Sequence, residues 1–126
     1  MGNGLLIVIS GPSGVGKGTV CKRLLADNDR ISLSVSATTR KARVGEIDKI
    51  SYFFISKEEF EAMVKREEFL EYAYVHGNYY GTPKKNVLEK IEKGQDVLLE
   101  IDIQGALKVK EIYPDGVFIF IMPPSM

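Results

Sequence analysis

The sequence is short of several things that would point to common protein classes. It has one cysteine, Cys21, so no disulfide can form within the chain. Its 17 basic and 17 acidic side chains cancel, so nothing suggests nucleic acid held by bulk electrostatics, and any anion site must be built locally. No apolar run approaches the roughly 20 residues that a membrane-spanning helix needs. The opening "MGNGLLIVIS" lacks a basic stretch followed by an apolar core of leader length. The one histidine, His76, adjoins Gly77 and Asn78 in a turn signal, with no side chain at metal-ligand spacing, and is assigned no metal or catalytic role. A soluble, cytoplasmic protein with no nucleic-acid and no membrane partner is the class these absences leave.

What is present reads as alternating strands and helices. At 126 residues and 44% hydrophobic content the chain can build one core. Leu5 to Ile9, "LLIVI", is a continuous apolar run suited to a strand buried on both faces of a parallel sheet. A glycine-rich loop follows, and Val20, Leu24 and Leu25 then recur at helical spacing until "DND" at 27–29. Leu33 to Ser36 suggests a second short strand, and "ATTRKARVGEIDK" (37–49) a polar, basic loop without periodicity. Ser56 with Glu59 forms a capping box, predicting a helix from Lys57 to Arg66 with Phe60, Met63 and Val64 on its apolar face.

Further along, Leu70, Tyr72 and Tyr74 alternate with Glu71, Ala73 and Val75 as in a half-buried strand, closed by a turn at Gly77 and Asn78, with the two tyrosines expected in the core. Thr82 before Pro83 reads as a helix start, and Val87, Leu88 and Ile91 carry that helix to Gly94. "DVLLEIDI" predicts a strand through Ile103 that sets Glu100 and Asp102 on one face. A helix from Ala106 to Ile112 and a fully apolar strand from Val117 to Met122 come last. The alternation implies an α/β fold with a parallel sheet flanked by helices. The stop just after a core strand, with no closing helix, reads as truncation.

Gly11, four residues, Gly16 and Lys17 form a Walker-type phosphate loop in the required setting, strand before and helix after. Backbone N–H groups of Gly11, Pro12, Ser13, Gly14, Val15, Gly16 and Gly18 can line such a loop only where the chain approaches the phosphates closely, proline excepted, which has no N–H to offer. Lys17 supplies a cation, and the helix start adds its partial positive charge. A hydroxyl commonly follows the lysine, but here Gly18 does, and Thr19 comes one place later. Magnesium is therefore expected to be held mostly through water and phosphate oxygens, with Thr19, Glu100 and Asp102 as candidate contacts.

A phosphate loop alone does not separate a small-molecule kinase from a GTPase or a motor. "SGPSGVGKGT", "SATTRKARVGE", "EYAYVHGNYYGTP" and "LEIDIQGA" together closely resemble the guanylate kinases, in family order from about Leu5 to the last residue. The resemblance implies a phosphate-loop core over 1–35 and 87–126 and an inserted GMP-binding lobe over 36–86. It implies transfer of the γ-phosphoryl group of ATP, as its Mg²⁺ complex, to GMP, within purine nucleotide metabolism. By the same resemblance Arg40, Arg43, Tyr52 and Tyr80 hold the GMP phosphate, with Lys17, Arg40 and Arg43 as the catalytic cations. Two guanidiniums and two phenols suit a dianion. Glu71 would read the guanine edge, Ser36 and Thr82 would supply hydroxyls near the base, and Asp102 would assist at its amino group. Each well-made paired contact of this kind discriminates by about 1–3 kcal/mol.

From spacing alone Arg40 and Arg43 also fit a solvated basic loop, and Glu71 an exposed strand position. The acceptor oxygen of GMP is already anionic, so the chemistry needs positioning and charge neutralisation rather than a general base. Closure of the lobe over GMP would exclude water. The family's lid arginines have no counterpart in this sequence, so the 126 residues by themselves are expected to turn over weakly or not at all. Two other classes fit less well. One is a non-catalytic guanylate-kinase-like module that binds protein partners, which typically loses residues present here. The other is a regulatory GTPase, for which Asp102 to Gly105 fits D-x-x-G but no N-K-x-D segment appears.

Overall fold

The apolar run near the N-terminus becomes strand β1, Leu6–Ser10, the second inner strand of a parallel sheet. The computed structural model describes residues 3–11 and 17–122, apart from the side chain of Lys17. Pro12, Ser13, Gly14, Val15 and Gly16 lie outside the described residues. The described chain divides into two compact units, 1–34 with 87–126, and 35–86.

In the first unit, helix α1 (Lys17–Asp27) leads to β2 (Ile31–Leu33), and later come β7 (Asp96–Glu100), α4 (Ile103–Ile112) and β8 (Val117–Phe120). The four strands lie in the order β2-β7-β1-β8, all parallel, with Ile9 beside Glu100. Burial on both faces explains why β1 is apolar from Leu6 to Ile9 and β7 from Val97 to Leu99. Ile9 and Leu98 face Cys21, Leu24 and Leu25 of α1, and Ile7, Ile31 and Ile121 pack around them. Leu6, Val8, Val97 and Leu99, which point the other way, are no more than 2% exposed. Each such side chain contributes roughly 1.5–3 kcal/mol of burial.

In the second unit β3 (Ala37–Thr38), β4 (Phe53–Phe54), β5 (Phe69–Val75) and β6 (Asn78–Pro83) form a sheet of order β4-β3-β6-β5, parallel between β3 and β4 and antiparallel elsewhere. The two-residue hairpin between β5 and β6 turns on His76 (φ 50°) and Gly77 (φ 86°), both left-handed, as this tight connection requires. Helix α2 (Lys57–Lys65) starts as the capping box predicts, with the Ser56 hydroxyl accepting from the Glu59 N–H at 3.0 Å. It lays Phe60 between the rings of Phe69 and Tyr79, with centroids 4.4 and 4.9 Å away, and Phe53, Ile55, Met63 and Val64 complete this core. Helix α3 (Lys84–Glu92) follows β6, with Val87 and Ile91 buried.

Several expectations are corrected. The second strand is Ile31–Leu33 rather than 33–36, because its pairing with β7 runs from Ile31 opposite Asp96 to Leu33 opposite Leu98. Ala37 and Thr38, expected in a loop, form a buried strand paired on both sides, with Ala37 opposite Phe53 and Gly81. Thr82 and Pro83 end β6 instead of starting a helix, since Glu71 and Phe69 pair with them. β7 stops at Glu100, and Ile103 already belongs to α4, because the Asp102 carboxylate caps that helix by accepting from the Gly105 N–H at 2.7 Å. Tyr72 and Tyr74 are 39% and 63% exposed, so they are not core residues. β8 edges the described sheet with Val117, Ile119 and Phe120 each about 40% exposed, not fully buried.

Candidate functional site

The side-chain alternation of the second unit sorts its residues onto two faces. Ala37, Phe53, Phe69, Tyr79 and Gly81 lie on the side of α2. Their strand neighbours Thr38, Phe54, Tyr80 and Thr82 therefore point to the other face, where Thr38 pairs with both Phe54 and Tyr80, and Glu71 with Thr82. Glu71, Tyr80 and Thr82, three of the eight residues proposed for an acceptor nucleotide, thus belong to one face.

One end of that face gathers cations and phenols. The guanidinium of Arg40 lies over the rings of Tyr52, 5.1 Å from its centroid, and Phe54, at 5.9 Å. The rings of Tyr52 and Tyr80 meet edge to face at 6.2 Å beside the Arg40 guanidinium. Arg40 donates to both carboxylate oxygens of Glu46, Nη1 to Oε1 at 2.9 Å and Nη2 to Oε2 at 3.0 Å, and Nη1 donates again to the Lys41 carbonyl at 3.0 Å. The Arg43 N–H donates to Glu46 Oε1 at 2.7 Å, while the Arg43 side chain is exposed.

These contacts set the protonation states. The Arg40 fork, followed by the Arg43 amide, holds the Glu46 carboxyl at about 2, against an ordinary 4.5. Reciprocally, the Glu46 carboxylate raises Arg40 above the usual guanidinium range. The pair is only 11% and 22% exposed at its side chains. Glu46 was not among the sequence candidates. The one signal was a single acid within the basic stretch "RKARVGE".

The other end of the face carries the base-reading candidates. The Thr82 hydroxyl, 1% exposed, donates to Glu71 Oε2 at 2.8 Å. One oxygen of Glu71 is thereby oriented. Ser36 accepts the Phe53 N–H through its backbone carbonyl and is half-buried.

In the first unit the described candidates gather at the carboxyl ends of the parallel strands, where ligands of open α/β sheets bind. Gly11 follows β1 directly, and α1 starts at Lys17. A Cβ built on Gly18 would lie 3.9 Å from Glu100 Oε2, so the Glu100 carboxylate faces the first turn of α1. Thr19 and Asp102 are exposed, and Asp102 has one oxygen committed to its cap. Among the described residues no group of three or more His, Cys, Asp or Glu side chains could hold a metal ion. A divalent cation arriving with a polyphosphate, its ligands mostly phosphate and water, fits this sparse carboxylate set. Among the described residues no helix is long and apolar enough to cross a membrane.

Comparison with known proteins agrees with the residue pattern. The family model described as guanylate kinase matches residues 3–126. A guanylate kinase of Clostridioides difficile is 65% identical over 123 residues, 98% of this chain and 60% of that protein. One of Clostridium tetani is 67% identical over 126 residues, 100% of this chain and 60% of that protein. Among solved structures, the crystal structure of guanylate kinase from Anaplasma phagocytophilum superimposes with a TM-score of 0.76 at 43% identity, covering 99% of this chain and 63% of that one. The chain spans about three fifths of the length of these relatives.

Proposed function

The chain belongs to the guanylate kinase family, and from that premise we propose that it serves transfer of the γ-phosphoryl group of ATP to GMP, giving ADP and GDP. The observation that supports the proposal is one sheet face of the second unit, with the Arg40 guanidinium over Tyr52 at one end and Thr82 donating to Glu71 at the other. Arg40, Arg43, Tyr52 and Tyr80 take the GMP phosphate. Glu71, oriented by Thr82, accepts from N1–H and the 2-amino group of guanine, two donors that adenine does not present there. Ser36 contributes a hydroxyl near the base, and Asp102 assists at the amino group.

ATP belongs to the first unit, its phosphates held by the backbone of the loop from Gly11 to Thr19 and by Lys17. Magnesium bound with ATP supplies charge neutralisation at the phosphates, and Thr19, Glu100 and Asp102 are the residues that would orient its waters. An oxygen of the GMP phosphate attacks the γ-phosphorus in line, the bond to the β-phosphate oxygen breaks, and ADP leaves. No side chain has to remove a proton, because the attacking oxygen is anionic. The work of the protein is to offset repulsion between two polyanions and to hold them in line.

The base-reading role is tested by Glu71→Gln, titrated with GMP and separately with ATP. The amide sets an N–H₂ against the guanine donors, so GMP affinity should fall by tenfold or more while ATP affinity is unchanged. Equal weakening of both would count against Glu71 as the base reader.

A further inference from the structure

Arg40 is held by a carboxylate that the proposed reaction does not use. A guanidinium has five N–H donors. Glu46 takes two of those of Arg40, one on each oxygen, and the Lys41 carbonyl takes a third. Two donors remain, Nε–H and one N–H of Nη2, with the guanidinium over the Tyr52 ring and Tyr80 edge-on to Tyr52. Glu46 is itself fixed from the loop. Its Oε1 accepts from the Arg43 N–H at 2.7 Å, and its own N–H donates to the Arg43 carbonyl at 3.0 Å, closing a turn over 43–46. One carboxylate therefore sets the plane of Arg40 and the backbone that carries Arg43.

A negative charge beside an anion site lowers its raw attraction for phosphate, so its presence needs a compensating function. A long, flexible arginine loses rotamer freedom when it grips a ligand, and a carboxylate paired with both Nη atoms removes that freedom before the ligand arrives. We infer that Glu46 is a positioning residue of the acceptor-phosphate site. By gripping Arg40 end-on and tying the loop at Arg43, it presents the two remaining Arg40 donors and the Tyr52 and Tyr80 phenols as one preset cradle for the phosphate of GMP. The inference rests on the reading of GMP as acceptor.

The test compares GMP with guanosine, which offers the same base and sugar without the phosphate, by NMR titration of the wild-type chain, Glu46→Gln and Glu46→Asp. In the wild type GMP should bind more tightly than guanosine. Glu46→Gln keeps the size but turns an N–H₂ toward Arg40. It should weaken GMP tenfold or more and leave guanosine within twofold. Glu46→Asp keeps the charge at a shorter reach, should weaken GMP by an intermediate factor with guanosine again unchanged, and decides the matter should the glutamine variant not fold. GMP affinity within twofold of wild type in the variants, or equal loss of GMP and guanosine, would overturn the positioning role and leave Glu46 as a structural anchor. No preference for GMP over guanosine in the wild type would overturn the acceptor reading itself.

Discussion

Gly81 lies between two proposed site residues, Tyr80 and Thr82, and its missing side chain is what lets β6 press against the aromatic stack of the second unit. A Cβ at this position would stand 2.8 Å from Cδ1 and 2.9 Å from Cε1 of Phe69, and 3.1 Å from Cζ of Phe60. Carbon contacts are optimal near 3.5–4.0 Å, so the Phe69 ring would have to retreat by roughly 0.7 Å. It has little room to do so. Phe69 stacks on Phe60 at 4.4 Å, and Phe60, fully buried, is backed by Tyr79 at 4.9 Å. Overpacking of this kind costs about 1–3 kcal/mol.

Gly81→Ala should therefore lower the opening free energy of β5 and β6 amides in native-state hydrogen exchange by about 1–3 kcal/mol, a loss of protection of roughly 5- to 150-fold. GMP affinity should drop with it, because Tyr80 and Thr82 move with the strand. The cause is checked by a double-mutant cycle with Phe69→Leu, which removes the outer ring atoms. The pair should couple favourably by about 1 kcal/mol. A Gly81→Ala variant within 0.5 kcal/mol of wild type, or strict additivity with Phe69→Leu, would refute the packing argument.

Two further predictions concern single groups. The Glu46 carboxyl is depressed to about 2 from an ordinary 4.5. Its folded pKa lies below the unfolded one, so the stabilisation it gives the second unit is fully present above about pH 4.5 and is lost as pH falls toward 2. Carboxyl NMR titration should find its midpoint near 2, and a midpoint near 4.5 would mean that Arg40 does not hold it. Asp102 caps α4 through the Gly105 N–H, so Asp102→Ala should cost about 0.5–2 kcal/mol in denaturant unfolding. Asp102→Asn, which keeps a capping oxygen, should cost only a fraction of that.

The phosphate-loop context and the capped helix were legible because each is a local signal. Gly11 and Lys17 sit where an apolar strand meets a helix, and the side chain of Ser56 needs only the N–H of Glu59, three residues on. Pairing partners were harder to read. Ala37 and Thr38 look like the start of a polar loop, and only strands from Phe53 and Gly81, distant in sequence, make them a buried strand. Pro83 after Thr82 carries a genuine helix-start signature, but Glu71 and Phe69 claim both residues for a sheet, where proline is tolerated at a strand end. Ile103 continues the alternation of β7 on paper, yet the Asp102 cap redirects the chain into α4. Glu46 stayed invisible for a similar reason. An acid in a basic loop reads as solvated charge until the fold stacks Arg40 on Tyr52 and Phe54 and leaves its fork facing that one carboxylate.

The central proposal is that the face of the second unit carrying Glu71, Tyr80 and Thr82 is a guanine nucleotide site. A calorimetric titration of the chain with GMP and, separately, with AMP tests it, because the two ligands share the phosphate and differ at the edge that Glu71 is proposed to read. A preference for GMP of tenfold or more, about 1.4 kcal/mol, is the predicted result. Equal affinity for the two nucleotides in a demonstrably folded sample would contradict it.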